Sequence, residues 1–332
     1  MIEYADIVFG LAWGDEGKGK VISELSKQDY DIVARWAGGS NAGHTVYVNG
    51  NRYKTHIVPS GIFRGKLSYI GPGCVLNVKS FLKEVEYLKE NGFDTSLIKI
   101  SPRTFLVEDK HITEDAEKLS SKLGTTSSGI APAYSEKAAR SGKRASQEPL
   151  LSLFVEDVQL TGKILCEGAQ GFWLDLDWGN YPYVTSSTTL PYGACSLGFS
   201  PKKIRKIWGV AKMYDTRSGV DPDFPTELNC NPDFRNIQRL GNEFGTTTGR
   251  RRQVNWLNLD KLIQAIQVSG TTDVVINKCD ILEEAGLYNL FYNNRLVTFP
   301  SMSYMKAFVK LSIQLLCEDC DVVHFSSSPE TI

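Results

Sequence analysis

The stretch Gly10–Lys20, GLAWGDEGKGK, constrains this chain more than any other. An apolar run, Ile7-Val8-Phe9, precedes it, and Val21-Ile22-Ser23-Glu24-Leu25 follows with the pattern of a helix's first turns. Strand, glycine-rich turn and helix form the context in which backbone N–H groups cradle a phosphate. The spacing is not that of a standard P-loop, GxxxxGK followed by Ser or Thr. Gly14, Gly17 and Gly19 alternate with Asp15, Glu16, Lys18 and Lys20, so acids and bases share one turn. An acid beside phosphate-binding glycines points to a metal ligand or to a proton-transferring group. A solvated charged turn is the simpler alternative.

Short β-branched runs alternate with helical patterns through the rest of the chain. Ala5–Leu11, Asp31–Trp36, Leu67–Ile70, Lys163–Glu167, Ile207–Lys212, Asp273–Lys278 and Asp321–Ser326 read as buried strands, several of them near-continuously apolar as parallel strands are. Leu259, Leu262, Ile263 and Ile266 mark one face of a helix that Gly270 is placed to end, and Ser80–Lys89 and Ser303–Leu316 look similar. No repeat, low-complexity tract or linker-like shift interrupts residues 1–332. The expectation is one large α/β domain around a mostly parallel central sheet. Ligands gather at the carboxyl ends of strands in such folds, and the polar motifs here follow predicted strands.

A formal net charge of −1 leaves no electrostatic footprint for nucleic acid, so anion binding must be local. The seven cysteines, at 74, 166, 195, 230, 279, 317 and 320, fit reduced thiols in a cytoplasm-like compartment. Cys317-Glu-Asp-Cys320 lacks the second pair or histidine cluster that zinc needs. Neither an N-terminal leader nor an 18-residue apolar run is apparent, so export and membrane spanning are not expected.

Further motifs carry chemistry. After the second strand comes RWAGGSNAGHT at 35–45, where Asn41 can read a base edge or phosphate and His44 titrates in the range useful near neutrality. Between Gly124 and Arg144, hydroxyls and Gly129 can wrap a phosphate or base, and Arg140 can clamp a phosphate; a capped helix start with a basic solvated face is the alternative. Gln170, in EGAQG at 167–171, suits a purine edge, and Tyr181–Thr189 forms a hydroxyl-rich loop. Arg250-Arg251-Arg252 after Gly245–Gly249 calls for a small dicarboxylate or a phosphate, unless the run is simply solvated. Asn277-Lys278-Cys279-Asp280 has the NKxD form, in which a carboxylate accepts from guanine N1–H and the 2-amino group together.

These motifs resemble those of the adenylosuccinate synthetase family. The match runs through WGDEGKGK at 13–20, NAGHT at 41–45, GTT at 124–126, AAR at 138–140, EGAQG, YPYVTSS at 181–187, FPTE at 224–227, GTTTGRRR at 245–252 and NKCD at 277–280, collinear along the chain. The resemblance implies a purine-nucleotide ligase that joins L-aspartate to C6 of IMP. It implies GTP and Mg2+, release of GDP and phosphate, and a cytoplasmic homodimer whose fold is like that of GTP-binding proteins.

The resemblance also assigns residues. Asp15 takes the purine N1 proton and ligates magnesium, joined there by Gly43, while His44 stabilises charge on the 6-oxygen and phosphate. Gly14, Glu16, Gly17, Lys18, Gly19, Lys20 and Thr45 match the GTP phosphate site, and Lys278, Asp280, Ser326 and Ser328 the guanine site. Asn41, Thr125, Thr126, Gln170, Thr185 and Arg217 match positions around the acceptor nucleotide, with Arg140 reaching its 5′-phosphate from the other subunit. Thr247, Thr248, Arg250 and Arg252 match the aspartate loop.

Departures from the family pattern leave the acceptor open. Ala12 and Ala37 stand where glutamines are usual, Ser328 replaces a glycine, and Thr216–Phe224 differs from the usual TRVGAGPF by a changed residue and an insertion. The layout resembles the compact archaeal type. A compact phage branch uses dGMP to make the 2-amino analogue, but its specialised members replace the motif aspartate by serine, whereas Asp15 and Asp280 are both kept here. IMP is the expected acceptor, with GMP or dGMP the alternative. A GTP-binding regulatory module would have no need of the arginine run or the Asp15/His44 pair.

Overall fold

The computed structural model describes residues 1–224, 230–245 and 249–332. Eight strands build the central sheet: β1 (Ile2–Gly10), β2 (Ile32–Arg35), β3 (Leu67–Ile70), β4 (Ile98–Ile100), β5 (Gly162–Gly171), β6 (Ile204–Lys212), β7 (Asp273–Asn277) and β8 (Val322–Phe325). Their spatial order is β8-β7-β6-β1-β5-β2-β3-β4. Each neighbouring pair is parallel, with β1 at the middle between β5 and β6.

Burial on both faces explains why these strands are so apolar. Val8, Val33, Leu165, Val210 and Val275 point to one face and pack under Val21, Ile22 and Leu25 of helix α1 (Lys18–Leu25). Their alternates, among them Ile7, Phe9, Ala34, Ile164, Ala211 and Ile276, face the other way. There they meet Leu262, Ile263 and Ile266 of the helix Leu259–Ser269 and Met305, Val309 and Ile313 of the helix Met302–Leu316. The period of two along each strand thus feeds two helical layers. A separate cluster at the β4 edge packs Ile70, Ile98 and Ile100 against Phe81 and Leu88 of the helix Val78–Glu90.

The expected strands recur with ends shifted by a few residues, and Leu67–Ile70 coincides. The helix Leu259–Ser269 is capped by the Asn258 side chain, which accepts from the Lys261 N–H at 3.0 Å, and it ends on Gly270 at φ +65°. Among the features that escape the sequence reading, two bear on the site's frame. β4 is only three residues long with Lys99 at its centre, too short to show a pattern. A second sheet, antiparallel in two of its three pairings, joins Tyr214–Arg217, Gln253–Asn258, Asn289–Tyr292 and Arg295–Thr298. Its first strand continues from β6 across Met213 and so carries Arg217 toward the carboxyl end of the central sheet. Among the described residues no helix is long and apolar enough to cross a membrane.

Candidate active site

The carboxyl ends of β1, β2, β5, β6 and β7 open into one cleft of about 520 Å3, a size suited to small-molecule ligands. Gly14 to Lys20, Asn41 to Thr45, Thr125, Thr126, Gln170, Thr185, Arg217, Arg250, Arg252, Lys278, Asp280 and Ser328 all line it. Residues more than 260 positions apart in the chain therefore share one wall. Thr247 and Thr248 lie outside the described residues. Arg140 and Ser326 are not in the cleft lining. Arg140 sits exposed at φ +64°, closing the helix Ile130–Ala139, while Ser326 is buried and its hydroxyl is bound to Lys20.

The 10–20 loop is held by its own acid. Glu16 is buried, and its carboxylate accepts the N–H groups of Gly14 at 2.8 Å and Ala12 at 3.3 Å and the Lys18 ammonium at 2.7 Å. Burial raises this carboxyl, but Lys18 and the backbone donors more than offset that and keep it ionised. Glu16 thus organises the loop from within, although the family resemblance sets it among the phosphate-site residues. Lys20 is likewise engaged: its ammonium donates to Ser326 Oγ at 2.6 Å and to the carbonyls of Ser328 and Thr331 at 3.0 and 3.2 Å, tying the loop to residues after β8. Burial is the main reason its pKa falls to about 8, with Asp280 acting in the opposite direction.

Helix α1 begins at Gly17, which has φ +94° and supplies no side-chain cap. The Lys18 and Gly19 N–H groups of its first turn are therefore available to an anion in the cleft, whereas that of Lys20 donates to the Gly17 carbonyl at 3.2 Å. Gly17 is required twice over, since a Cβ there would come within 2.9 Å of Asn277 Nδ2 and the backbone is left-handed. The Asn277 amide in turn donates to the Glu16 carbonyl at 2.8 Å. Gly17→Ala is expected to weaken binding of a phosphate-bearing ligand at this helix start about tenfold or more, as equilibrium titration of the variant will show.

Asp15 has φ +62°, an uncommon conformation for a residue with a side chain and one found at functional sites. Arg252 Nε lies 2.8 Å from Asp15 Oδ2, and Ser218 Oγ donates to the same oxygen at 3.3 Å. Among the described residues Oδ1 carries no hydrogen bond. Across the cleft, His44 Nδ1 is bound to Glu167, whose other oxygen accepts the Ser60 N–H at 2.6 Å. Ser60 Oγ also donates to Glu167, at 2.9 Å. The imidazole is nearly fully buried, yet among the described residues its Nε2 has no partner. Burial lowers the His44 pKa and Glu167 opposes that, which favours a neutral ring donating from Nδ1 to an ionised carboxylate. The buried Gln170 Oε1 is also without a partner among the described residues. Buried polar atoms left open in a cleft mark where a ligand completes the hydrogen bonding.

Other contacts set the walls. Thr125 Oγ1 and the Gly129 N–H both bind Asp115, at 2.6 and 2.9 Å, and Arg250 Nη1 reaches the Gly124 carbonyl at 3.1 Å. Lys278, at φ +64° before the helix Cys279–Ala285, donates to the Gly241 carbonyl at 3.0 Å. Glu167, Lys212, Ser218 and Glu243 have parts in this site that the sequence reading did not assign. Glu167 left a signal, being a carboxylate at the buried end of a predicted strand; the others were too dispersed to connect.

A parallel sheet bearing a glycine-rich loop, an uncapped helix start and an NKxD segment defines a nucleotide-binding enzyme of the P-loop-like, GTP-binding class. The profile of the adenylosuccinate synthetase family matches residues 7–159 and 151–289. The adenylosuccinate synthetase of Enterococcus faecalis is 39% identical, over 83% of this chain and 77% of that protein, and that of Shouchella clausii is 38% identical over the same shares. The solved, fully ligated adenylosuccinate synthetase of Plasmodium falciparum has a TM-score of 0.80 at 28% identity, covering 98% of both chains. Cyanophage S-2L succinoaminodeoxyadenylate synthetase, solved with dGMP and dATP, shares the fold with a TM-score of 0.71 at 21% identity, over 94% of this chain and 99% of that one. The chain belongs to the adenylosuccinate synthetase family. It is accordingly a GTP-dependent C–N ligase that uses Mg2+ and condenses L-aspartate with IMP.

Proposed function

We propose that Asp15 and His44 carry the condensation, giving adenylosuccinate, GDP and phosphate in two steps. What carries this reading is that, among the described residues, an acid in left-handed backbone and an imidazole with an unpartnered buried nitrogen line one cleft with a helix start that has no side-chain cap. In the first step Asp15 takes the N1 proton of IMP, the electron pair moves onto the 6-oxygen, and that oxygen attacks the γ-phosphorus of GTP as GDP leaves. His44 Nε2 meets the same oxygen: as charge grows there the ring takes up a solvent proton, and the imidazolium, balanced by Glu167 at Nδ1, donates from Nε2 to that oxygen. In the second step the aspartate amine attacks C6 and phosphate departs with the former 6-oxygen, a far better leaving group than oxide.

The remaining roles follow from position. Gly14, Gly17, Lys18, Gly19 and Thr45 surround the GTP phosphates, and Lys278 and Asp280 read guanine. Asn41, Thr125, Thr126, Gln170, Thr185 and Arg217 hold the acceptor nucleotide, while Arg250 and Arg252 take the carboxylates of aspartate together with Thr247 and Thr248. The Asp15 carboxylate and the Gly43 backbone are hard oxygen donors lining the same cleft, a set that fits Mg2+. Bound there, the ion neutralises charge on the phosphates. Exposed Arg140 serves the 5′-phosphate site of a second copy, which makes the working unit a homodimer, and the seven free cysteines suit the cytoplasm.

Assays with IMP, GMP and dGMP side by side test the acceptor: aspartate-dependent phosphate release with IMP is expected, and release with a guanylate alone overturns it. Asp280→Asn is expected to weaken GTP by about 10- to 100-fold and to narrow its advantage over ATP, because a carboxylate accepting from two guanine donors is replaced by a group that repels one of them. Donor competition kinetics measure that ratio.

A further inference from the structure

A buried ion cluster lies directly behind Asp15. Glu243 has no exposed surface, and its carboxylate accepts from Lys212 Nζ at 3.1 Å, Tyr214 Oη at 2.7 Å and Arg252 Nη1 at 2.6 Å. Lys212 Nζ also donates to Thr216 Oγ1. The Arg252 guanidinium is thereby shared, with one nitrogen on Glu243 and Nε on Asp15. Burial works against charge on Glu243, but Lys212, Arg252 and Lys278 together bring its pKa down to about 2. The cluster therefore holds a fixed negative charge where Arg252 needs an anchor.

We propose that Glu243 is a positioning residue, holding the Arg252 fork so that it fixes Asp15 and presents its remaining donors to the incoming dicarboxylate. A planar guanidinium bound at one edge cannot rotate without breaking that bond, so its free edge is aimed. Lys212 and Tyr214 serve as the cluster's fixed floor, since both come from the β6 to Tyr214–Arg217 passage, which is tied into both sheets. The proposal rests on the reading of Asp15 as the base and of Arg252 as an aspartate ligand.

Glu243→Gln keeps the shape and removes the charge. With the folded fraction verified by thermal unfolding and circular dichroism, kcat is expected to fall about 100-fold, in line with the cost of misplacing a reacting group by about an ångström. KM for L-aspartate should rise about tenfold, while KM for IMP and GTP stays within about threefold. Should Glu243→Gln fail to fold, Glu243→Asp keeps the charge beside Lys212 while withdrawing it from Arg252, and the same kinetic split is expected. A lowered melting temperature with unchanged kcat and unchanged KM for aspartate overturns the proposal and leaves Glu243 a purely structural ion. Absence of aspartate-dependent phosphate release from the unmodified enzyme strikes instead at the proposed function, so the two failures are told apart.

Discussion

Asp15→Ala is expected to lower kcat by about 10³- to 10⁴-fold while KM for the acceptor nucleotide changes little, the pattern left when a group acting on the transition state is removed. Its geometry suits that role. The residue sits in left-handed backbone between Gly14 and Glu16, and the buried Glu16 carboxylate holds the loop in that shape. Arg252 and Ser218 both contact Oδ2, and the proposed role falls to Oδ1. The substitution spares Glu16, and Arg252 keeps its Glu243 partner, so the cleft should survive intact. Single-turnover measurement of phosphate release checks the step directly; a kcat within tenfold of the unmodified enzyme refutes the assignment.

The second large effect concerns the opposite wall. His44→Ala removes the nitrogen assigned to the 6-oxygen and is expected to cost about 10²- to 10³-fold in kcat, as loss of one preorganised electrostatic contact does. Glu167→Gln should cost about 100-fold although it never touches substrate, because the carboxylate fixes which ring nitrogen carries the proton and which way Nε2 points. The Gly19 position reinforces this packing, since a Cβ there would lie 2.9 Å from His44 Cβ. Steady-state kinetics on both variants, with folding checked by circular dichroism, decide the point. Equal losses for Glu167→Gln in acceptor affinity and in kcat would mean that the carboxylate shapes the pocket and does not orient the ring.

Much of this molecule was legible in the sequence because its strongest signals are local. A glycine that permits a left-handed turn and an apolar run buried on both faces each reveal themselves within a few residues. The 10–20 loop and the helix ending at Gly270 belong to this kind. What stayed hidden depends on partners far apart in the chain. Lys212 and Glu243 look like an ordinary strand end and an ordinary polar turn until folding sets them 3.1 Å apart. Tyr214–Arg217 is polar and short, so only its pairing with Gln253–Asn258 makes it a strand. Glu16 and Lys20 illustrate a different limit. Charged residues in a phosphate loop invite assignment to the ligand, yet both are occupied in holding the loop and the segment after β8 in place.

The two-step chemistry makes one commitment about atoms. If the 6-oxygen of IMP is phosphorylated before the amine enters, that oxygen leaves in the phosphate. IMP labelled with oxygen-18 at the 6-position, turned over with GTP and L-aspartate, is therefore expected to place its label in inorganic phosphate, one labelled atom for each adenylosuccinate formed. Mass spectrometry of the released phosphate reads this without further assumptions. Unlabelled phosphate, with the heavy oxygen recovered in water, would contradict the role given to Asp15 and the account built on it.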